Sequence, residues 1–202
     1  MAFYKTQLSV ATHELALQYS APEGASEGVI ICHPHPLYSG TMDNKVVHTV
    51  AKARDEQGWV TVRFNFRGVG QSTGEHDHGV GEADDVLAVL DWAQAQFPHV
   101  QKWHLAGFSF GAMVARRVAD SVEWASLQLI APPVDLYEMP PLTEMTCPVS
   151  VLIPGKDEVI DARAQMDWVQ QAQIQPTWVV LGESSHFFHK RLIELKRLVQ
   201  AF

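Results

Sequence analysis

The sequence predicts an α/β fold in which helices cover both faces of a doubly wound, mostly parallel sheet. Short apolar runs such as "GVIIC" and "VSVLI" alternate along the chain with longer segments whose apolar residues recur at helical spacing. No internal repeat or low-complexity linker interrupts that alternation. The chain has 202 residues, 47% of them apolar and 19% charged, which is enough for one sizeable core. We therefore expect a single domain over residues 1–202.

The first quarter of the chain predicts an antiparallel edge, a buried strand and a helix. Two short runs over residues 8–11 and 15–19 lie close together and suit an antiparallel pair. The segment "GVIICHP", residues 28–34, has the continuous apolar run of a strand buried on both faces. Helical spacing of valine and alanine then extends over residues 44–57, and Gly58 is placed to end that helix.

The next strand, "WVTVRFNF" at residues 59–66, is unusual for the middle of a parallel sheet. Its apolar residues all fall on one face, whereas Thr61, Arg63 and Asn65 fall on the other. A strand covered on both faces is normally apolar throughout. We therefore expect these three side chains to find hydrogen-bond partners inside the fold.

The rest of the chain continues the order of strands and helices after a glycine-rich loop, "RGVGQSTGEHDHGVGE". The predicted elements are a helix with Val86, Leu90, Ala93 and Phe97 on one stripe, a strand over 103–108, a helix over 111–120, strands over 125–133 and 147–155, a helix over 162–173, a strand over 177–182, and a last helix with Phe188, Leu192, Leu195 and Val199 on one stripe.

The segment "LAGFSFGAM" contains the pattern G-x-S-x-G at the turn from a predicted strand to a predicted helix. A nucleophile at such a turn adopts strained backbone angles, and the glycines two residues to either side, Gly107 and Gly111, relieve the crowding. The same five residues could form a glycine-flanked turn with an inert serine. The strand before the pattern and the helix after it favour Ser109 as a nucleophile.

A serine nucleophile needs a histidine base and a carboxylate that orients the base, here expected in the order Ser, Asp, His. Asp157 and His186 each follow an apolar strand, so both fall at the carboxyl edge of the sheet, where such sites are built. Asp135 and Asp161 are the alternatives for the acid, although Asp161 also suits a helix N-cap. His189 is the alternative base, but we expect it to lie within the last helix.

Composition excludes several classes of partner. The formal net charge is -8 and no cluster of Lys and Arg is present, which argues against nucleic acid. No apolar run approaches the roughly 18 residues of a spanning helix, and the start "MAFYKTQLSV" lacks the features of a signal peptide. We expect a soluble, cytoplasmic protein without membrane partners. Its two cysteines, Cys32 and Cys147, suit buried free thiols.

Histidines in "HPHP" and in "EHDH" raise the possibility of a metal site. Zinc usually needs three or four convergent ligands, and neither segment has the helical H-E-x-x-H spacing. We therefore expect no metal site, and residues 76–78 are expected to form a solvated loop.

The elbow around Ser109, with Asp157 and His186, resembles the α/β-hydrolase superfamily over nearly the whole chain. The longer segments "HPHPLYSGTMDNKVV" and "RFNFRGVGQS" are similar to a group of small, lidless predicted serine hydrolases in that superfamily. Members with a lid insert it after the sixth strand, where this chain has only the segment between Ile130 and Val149. The resemblance therefore implies an α/β-hydrolase fold without a lid domain.

The resemblance also implies an oxyanion hole made of two backbone N–H groups. One belongs to Phe110, directly after the nucleophile, and the other to His35, which takes the x position of the superfamily's H-G-x segment. Pro34 replaces the usual glycine of that segment. Because proline cannot donate, His35 is the first candidate for the second donor and Leu37 the alternative.

The implied function is that of a serine hydrolase that cleaves a small carboxylic ester through an acyl-enzyme intermediate and needs no cofactor. A thioesterase acting on a small acyl thioester is the nearest alternative, and a non-catalytic binding protein of the same fold is another. The expected partner is a small ester or thioester, and the expected assembly is a monomer or a homodimer. An open cleft walled by Phe108, Phe110, Leu37, Tyr38 and Tyr137 would hold a short or medium acyl group.

Overall fold

A computed structural model describes residues 3–143 and 145–202. Within these residues eight strands form one sheet, in the order β1-β2-β4-β3-β5-β6-β7-β8. The strands are β1 (Tyr4–Ser9), β2 (Glu14–Ser20), β3 (Glu27–Cys32), β4 (Val60–Phe64), β5 (Lys102–Phe108), β6 (Leu127–Ile130), β7 (Val149–Pro154) and β8 (Thr177–Leu181). β1 and β2 are antiparallel to their neighbours, and β3 to β8 all run parallel. The predicted antiparallel edge and mostly parallel sheet are confirmed.

Helices cover the two faces of this sheet, as a doubly wound fold requires. Among the described residues the α-helices are α1 (Lys45–Glu56), α2 (Gly81–Gln96), α3 (Phe110–Val118), α4 (Ala162–Gln170) and α5 (Leu192–Ala201). Apolar side chains of α1 and α5 pack in one buried cluster, and those of α2, α3 and α4 pack in a second cluster on the opposite face. The carboxyl ends of the parallel strands therefore meet at one open edge between the helical layers.

Arg63 and Asn65, on the polar face of the β4 segment, form buried hydrogen bonds, although Arg63 Nε has no partner among the described residues. The Arg63 guanidinium donates to Gln18 Oε1 on β2 at 2.8 Å and to the backbone carbonyl of Met42 at 2.7 Å. Asn65 Oδ1 accepts the N–H of the same residue, Met42, at 2.8 Å. These buried bonds tie the segment that enters α1 to the end of β4. The polar residues of this strand therefore hold the neighbouring segment in place and do not form an exposed face.

Two helices differ from their predicted bounds by three residues or more. α4 ends at Gln170, three residues earlier than the spacing indicates. α5 begins only at Leu192, because Phe188 and Lys190 have positive φ values of 54° and 61°, which no α-helix contains. Phe188 is nevertheless fully buried, so its apolar character reflects core packing just before the helix rather than the helical stripe itself.

The connection from β6 to β7 spans residues 131–148, and its described part contains no helix or strand. No lid domain therefore follows the sixth strand. Nowhere in the described ranges does a helix reach the length and hydropathy needed to cross a bilayer.

Candidate active site

Ser109 lies at the sharp turn between β5 and α3. Its φ and ψ angles are 55° and -123°, a conformation that L-residues rarely adopt. The Ser109 N–H donates to the Ile130 carbonyl at 2.9 Å, which ties the turn to the end of β6. The serine therefore projects at the carboxyl edge of the sheet, at the N-terminus of a helix whose dipole favours negative charge.

Packing explains both glycines of the pattern. A Cβ at Gly107 would lie 2.2 Å from the Gly111 carbonyl oxygen, and a Cβ at Gly111 would lie 2.4 Å from the Cys32 carbonyl oxygen. Both distances are far below van der Waals contact, and the obstructing atoms belong to the backbone. Only glycine lets α3 approach β3 and β5 this closely.

Ser109, His186 and Asp157 form a continuous chain of hydrogen bonds. Ser109 Oγ lies 3.1 Å from His186 Nε2, and His186 Nδ1 lies 2.8 Å from Asp157 Oδ2. The side chains of His186 and Asp157 are 2% and 0% exposed. The structure thus brings together the three side chains that the sequence singles out, in the geometry of a nucleophile, a base and an orienting acid.

The two carboxylate oxygens of Asp157 have separate partners. Oδ1 accepts the N–H groups of Val159 and Ile160, each at 2.9 Å, so the loop after β7 holds the side chain by its first oxygen. Oδ2 faces His186. This division of partners fixes which oxygen is available to the imidazole.

The alternative acid and base residues are engaged elsewhere. Asp135 Oδ2 accepts the Asp161 N–H at 3.0 Å, and Asp161 caps α4 through a bond of 2.7 Å from the Arg163 N–H. His189 lies in a turn before α5, not within the helix as the sequence suggested. Its N–H donates to Ser185 Oγ at 3.3 Å.

His33 is fully buried at the end of β3 and connects two loops through hydrogen bonds. Its Nδ1–H donates to the Pro34 carbonyl at 2.6 Å, and its Nε2 accepts the Phe66 N–H at 3.0 Å. Because a carbonyl only accepts and a backbone N–H only donates, this pair of bonds fixes one neutral tautomer. Burial lowers the pKa of His33 from 6.5 to about 4. No sequence pattern assigns this role to His33, although its position directly after an apolar strand is a signal of burial.

We expect the stability of the protein to fall in mild acid through His33. Its folded pKa of about 4 lies below its ordinary value of 6.5, so the unfolded chain binds the extra proton first. The stability contributed by the neutral form is present above pH 6.5 and is lost as the pH falls towards 4. Between pH 7 and pH 5 the loss amounts to about 2 kcal/mol, measurable by urea unfolding. A His33→Gln variant should lose less free energy of unfolding over that interval than the wild type; an equal loss would contradict the assignment.

The loop after β3 presents a backbone donor opposite the elbow. Within the described ranges, the N–H groups of His35 and Phe110 have no hydrogen-bond acceptor. The Leu37 N–H, by contrast, donates to His35 Nδ1 at 3.1 Å. A Cβ at Gly40 would lie 2.1 Å from the Pro34 carbonyl oxygen, so the loop closes tightly on itself.

His76 lies at the inner side of a loop whose next two residues, Asp77 and His78, are exposed, as the sequence led us to expect. Its side chain is only 9% exposed, and its Nδ1 lies 2.7 Å from Oε1 of the fully buried Glu82. The His76 ring also lies 5.1 Å from the ring of His35 and 5.0 Å from that of His78. Across residues 3–143 and 145–202, no group of three His, Cys, Asp or Glu side chains is arranged to hold a metal ion.

A cavity of about 500 Å³ opens above Ser109 and His186. The described lining residues include no Lys, Arg, Asp or Glu. Phe110, Tyr38 and Tyr137 line it as expected, and residues that the sequence did not single out complete the apolar wall: Pro133, Leu136, Val159 and Phe187. Phe108 does not line the cavity and packs instead against the His186 ring, with centroids 5.0 Å apart.

This architecture is similar to that of several known proteins. Residues 29–123 match a family model described as the alpha/beta hydrolase fold. An uncharacterized protein of Rickettsia prowazekii is 33% identical, over 92% of this chain and 87% of its own length. The solved structure of an alpha-beta serine hydrolase homologue from Coxiella burnetii is 43% identical, with a TM-score of 0.93 over 98% of this chain and 96% of the other.

A second solved structure, from Xanthomonas campestris, is described as a serine hydrolase of this class without a lid. It is 38% identical, with a TM-score of 0.92 over 98% of this chain and 92% of the other. Similarity at this level over full lengths, together with the elbow and the sheet order, leads to one assignment. The chain belongs to the α/β-hydrolase family and is a hydrolase.

Proposed function

We propose that the protein is a serine esterase that cleaves small, uncharged carboxylic esters through an acyl-enzyme intermediate. The observation that carries this proposal is the hydrogen-bonded chain from Ser109 through His186 to Asp157, with distances of 3.1 and 2.8 Å, beneath an apolar cavity. A nucleophile that already contacts its base, with the base held by a buried carboxylate, is suited to acyl transfer.

In the first half of the reaction, Ser109 Oγ attacks the ester carbonyl while His186 Nε2 takes the hydroxyl proton. Asp157 holds the Nδ1–H side of the ring and stabilises the imidazolium. The imidazolium then gives the proton to the departing alcohol. In the second half, His186 takes a proton from water, which attacks the acyl carbonyl. The imidazolium then returns that proton to Ser109 Oγ as the acyl bond breaks and the acid is released.

The oxyanion of each tetrahedral intermediate is held by the N–H groups of Phe110 and His35. Both groups are without an acceptor among the described residues, whereas the Leu37 N–H is engaged by the His35 ring. This difference favours His35 over Leu37 as the second donor. A preorganised pair of donors is worth several kcal/mol to acyl transfer, because it opposes charge only where charge develops.

The lining of the cavity favours an uncharged substrate and disfavours coenzyme A thioesters. Phosphate groups are commonly bound by Arg or Lys side chains, and no described lining residue is a Lys or Arg. The volume of about 500 Å³ suits a ligand of modest size. The lining residues Leu136 and Val159 are 55% and 45% exposed, so the cavity is open to solvent at this rim.

A matched substrate series tests this proposal. Turnover of uncharged oxygen esters graded by acyl length is compared with that of the corresponding neutral thioesters and coenzyme A thioesters, while a fluorophosphonate probe is mapped to its labelled peptide. We expect labelling at Ser109 and the highest kcat/KM with an uncharged oxygen ester. Preference for the coenzyme A thioester would identify a thioesterase, and a folded protein that neither labels nor turns over any substrate would be a binding protein instead.

A further inference from the structure

The loop between β3 and α1 is organised around His35. A 3-10 turn over Pro36–Tyr38 follows it, and His35 Nδ1 caps that turn by accepting the Leu37 N–H at 3.1 Å. The His35 carbonyl accepts two further N–H groups, from Tyr38 at 3.1 Å and from Gly40 at 3.0 Å. His35 therefore accepts three hydrogen bonds that shape the turn, while its own N–H has no acceptor among the described residues.

The His35 Nδ1 acceptor also determines where the Leu37 N–H is held. Pro34 and Pro36 carry no N–H, so Leu37 is the nearest other donor in this loop. While His35 Nδ1 engages it, the Leu37 N–H is held within the turn. Without that acceptor, the turn loses its cap and the freed N–H must find another partner.

The His35 ring also lies against Phe110, the other proposed donor residue. Its centroid is 4.8 Å from the Phe110 ring and 4.8 Å from the Tyr38 ring. Since the N–H groups of His35 and Phe110 must point at one oxygen, a displacement of either residue would separate them. The ring thus contacts the elbow while its nitrogen shapes the loop.

We propose that the His35 imidazole, through the Nδ1 bond to the Leu37 N–H, is a positioning group that holds the His35 N–H in its place in the oxyanion hole. The proposal rests on the proposed esterase function. The proposal distinguishes two properties of the side chain. The Nδ1 acceptor positions the loop, and the aromatic ring contributes less to the position of the His35 N–H.

The surroundings of His35 keep Nδ1 able to accept. Burial lowers the pKa of His35, the neighbouring imidazoles of His76 and His78 lower it further, and Glu82 acts in the opposite direction. The neutral ring with its proton on Nε2 is therefore the form present at neutral pH. The titratable groups facing the ring are His76, His78, Glu82, Tyr38 and Tyr137.

Two variants separate the acceptor from the ring. His35→Asn keeps an acceptor at nearly the same position, since Asn Oδ1 commonly caps such turns, but it lacks the ring. His35→Phe keeps an aromatic ring and removes the acceptor. We measure kcat and KM for an uncharged ester, the affinity for a trifluoromethyl ketone that forms an oxyanion on Ser109, and the melting temperature of each variant.

We expect His35→Phe to lower kcat about 10- to 100-fold, somewhat less than the loss of a whole oxyanion donor, with KM changed less than about threefold. Its affinity for the ketone should fall in parallel with kcat/KM. His35→Asn, which keeps the acceptor, should retain at least about tenfold more kcat and ketone affinity than His35→Phe. Should His35→Phe fail to fold, His35→Leu takes its place.

The outcomes distinguish this inference from the proposed function. Wild-type protein that neither labels with the fluorophosphonate nor turns over an ester would overturn the function itself. An active wild type with an equally active His35→Phe would overturn only the positioning role. Equal impairment of His35→Asn and His35→Phe would also overturn it, because the ring and not the acceptor would then be the essential part.

Discussion

Replacement of Ser109 by alanine is expected to lower kcat for a small ester by about 100,000-fold, with little change in KM. The variant keeps the cavity and both oxyanion donors but has no atom to form the acyl-enzyme. His186 loses only its 3.1 Å partner, so the fold is expected to survive. Steady-state kinetics and fluorophosphonate labelling check the result, and both signals should disappear together.

Ser126 supplies a matched control for that experiment. Its hydroxyl lies 2.7 Å from His104 Nδ1, and His104 Nε2 lies 2.8 Å from Glu27 Oε2, so it repeats the Ser–His–carboxylate pattern. It lies at the other end of β5 and β6, outside the cavity and without an elbow conformation. Ser126→Ala should therefore keep full turnover and labelling. Activity retained in Ser109→Ala, or lost in Ser126→Ala, would contradict the assignment of the nucleophile.

Asp157→Asn is expected to lower kcat by about 10,000-fold. Oδ1 is bound by two backbone N–H groups at 2.9 Å, so an asparagine there should keep its oxygen in that position and present its NH₂ group to His186. A donor facing Nδ1 favours the tautomer with the proton on Nε2, and that tautomer cannot accept the Ser109 proton. The loss should therefore appear in kcat and not in the melting temperature.

Asp135→Asn is the matched control for the acid. Asp135 accepts the Asp161 N–H through Oδ2, and an asparagine oxygen can replace that acceptor. We expect its kcat to stay within about twofold of the wild type. A larger kcat loss in Asp135→Asn than in Asp157→Asn would reverse our assignment of the acid.

Much of the fold could be predicted because burial leaves a periodic mark on the sequence. The valine-rich spacing before Gly58 predicted α1, and the apolar run "GVIIC" predicted β3. The end of the chain was harder. Phe188 matched the apolar stripe of α5 but lies in a turn before that helix. The positive φ values of Phe188 and Lys190 arise from the path of the chain between β8 and α5, and residue type does not predict them.

The candidate site was predictable where a local rule exists. G-x-S-x-G is such a rule, because Ser109 needs glycines at both flanking positions wherever the elbow occurs. No comparable rule separates Asp157 from Asp135, since both follow a strand at the same edge of the sheet. The bond of 2.8 Å between Asp157 and His186 distinguishes them, and it depends on residues 29 positions apart.

The parallel α/β sheet, the elbow at Ser109 and the short segment after the sixth strand follow from the sequence alone, because periodicity, glycine patterns and segment length are properties of the chain. The hydrogen-bond partners of the histidines and of the backbone N–H groups depend on the folded structure. The neutral His33 ring connects two loops, and the His35 ring accepts the Leu37 N–H while the His35 N–H has no acceptor among the described residues. Hydrogen-bond partners are chosen by three-dimensional proximity, which residue order does not encode.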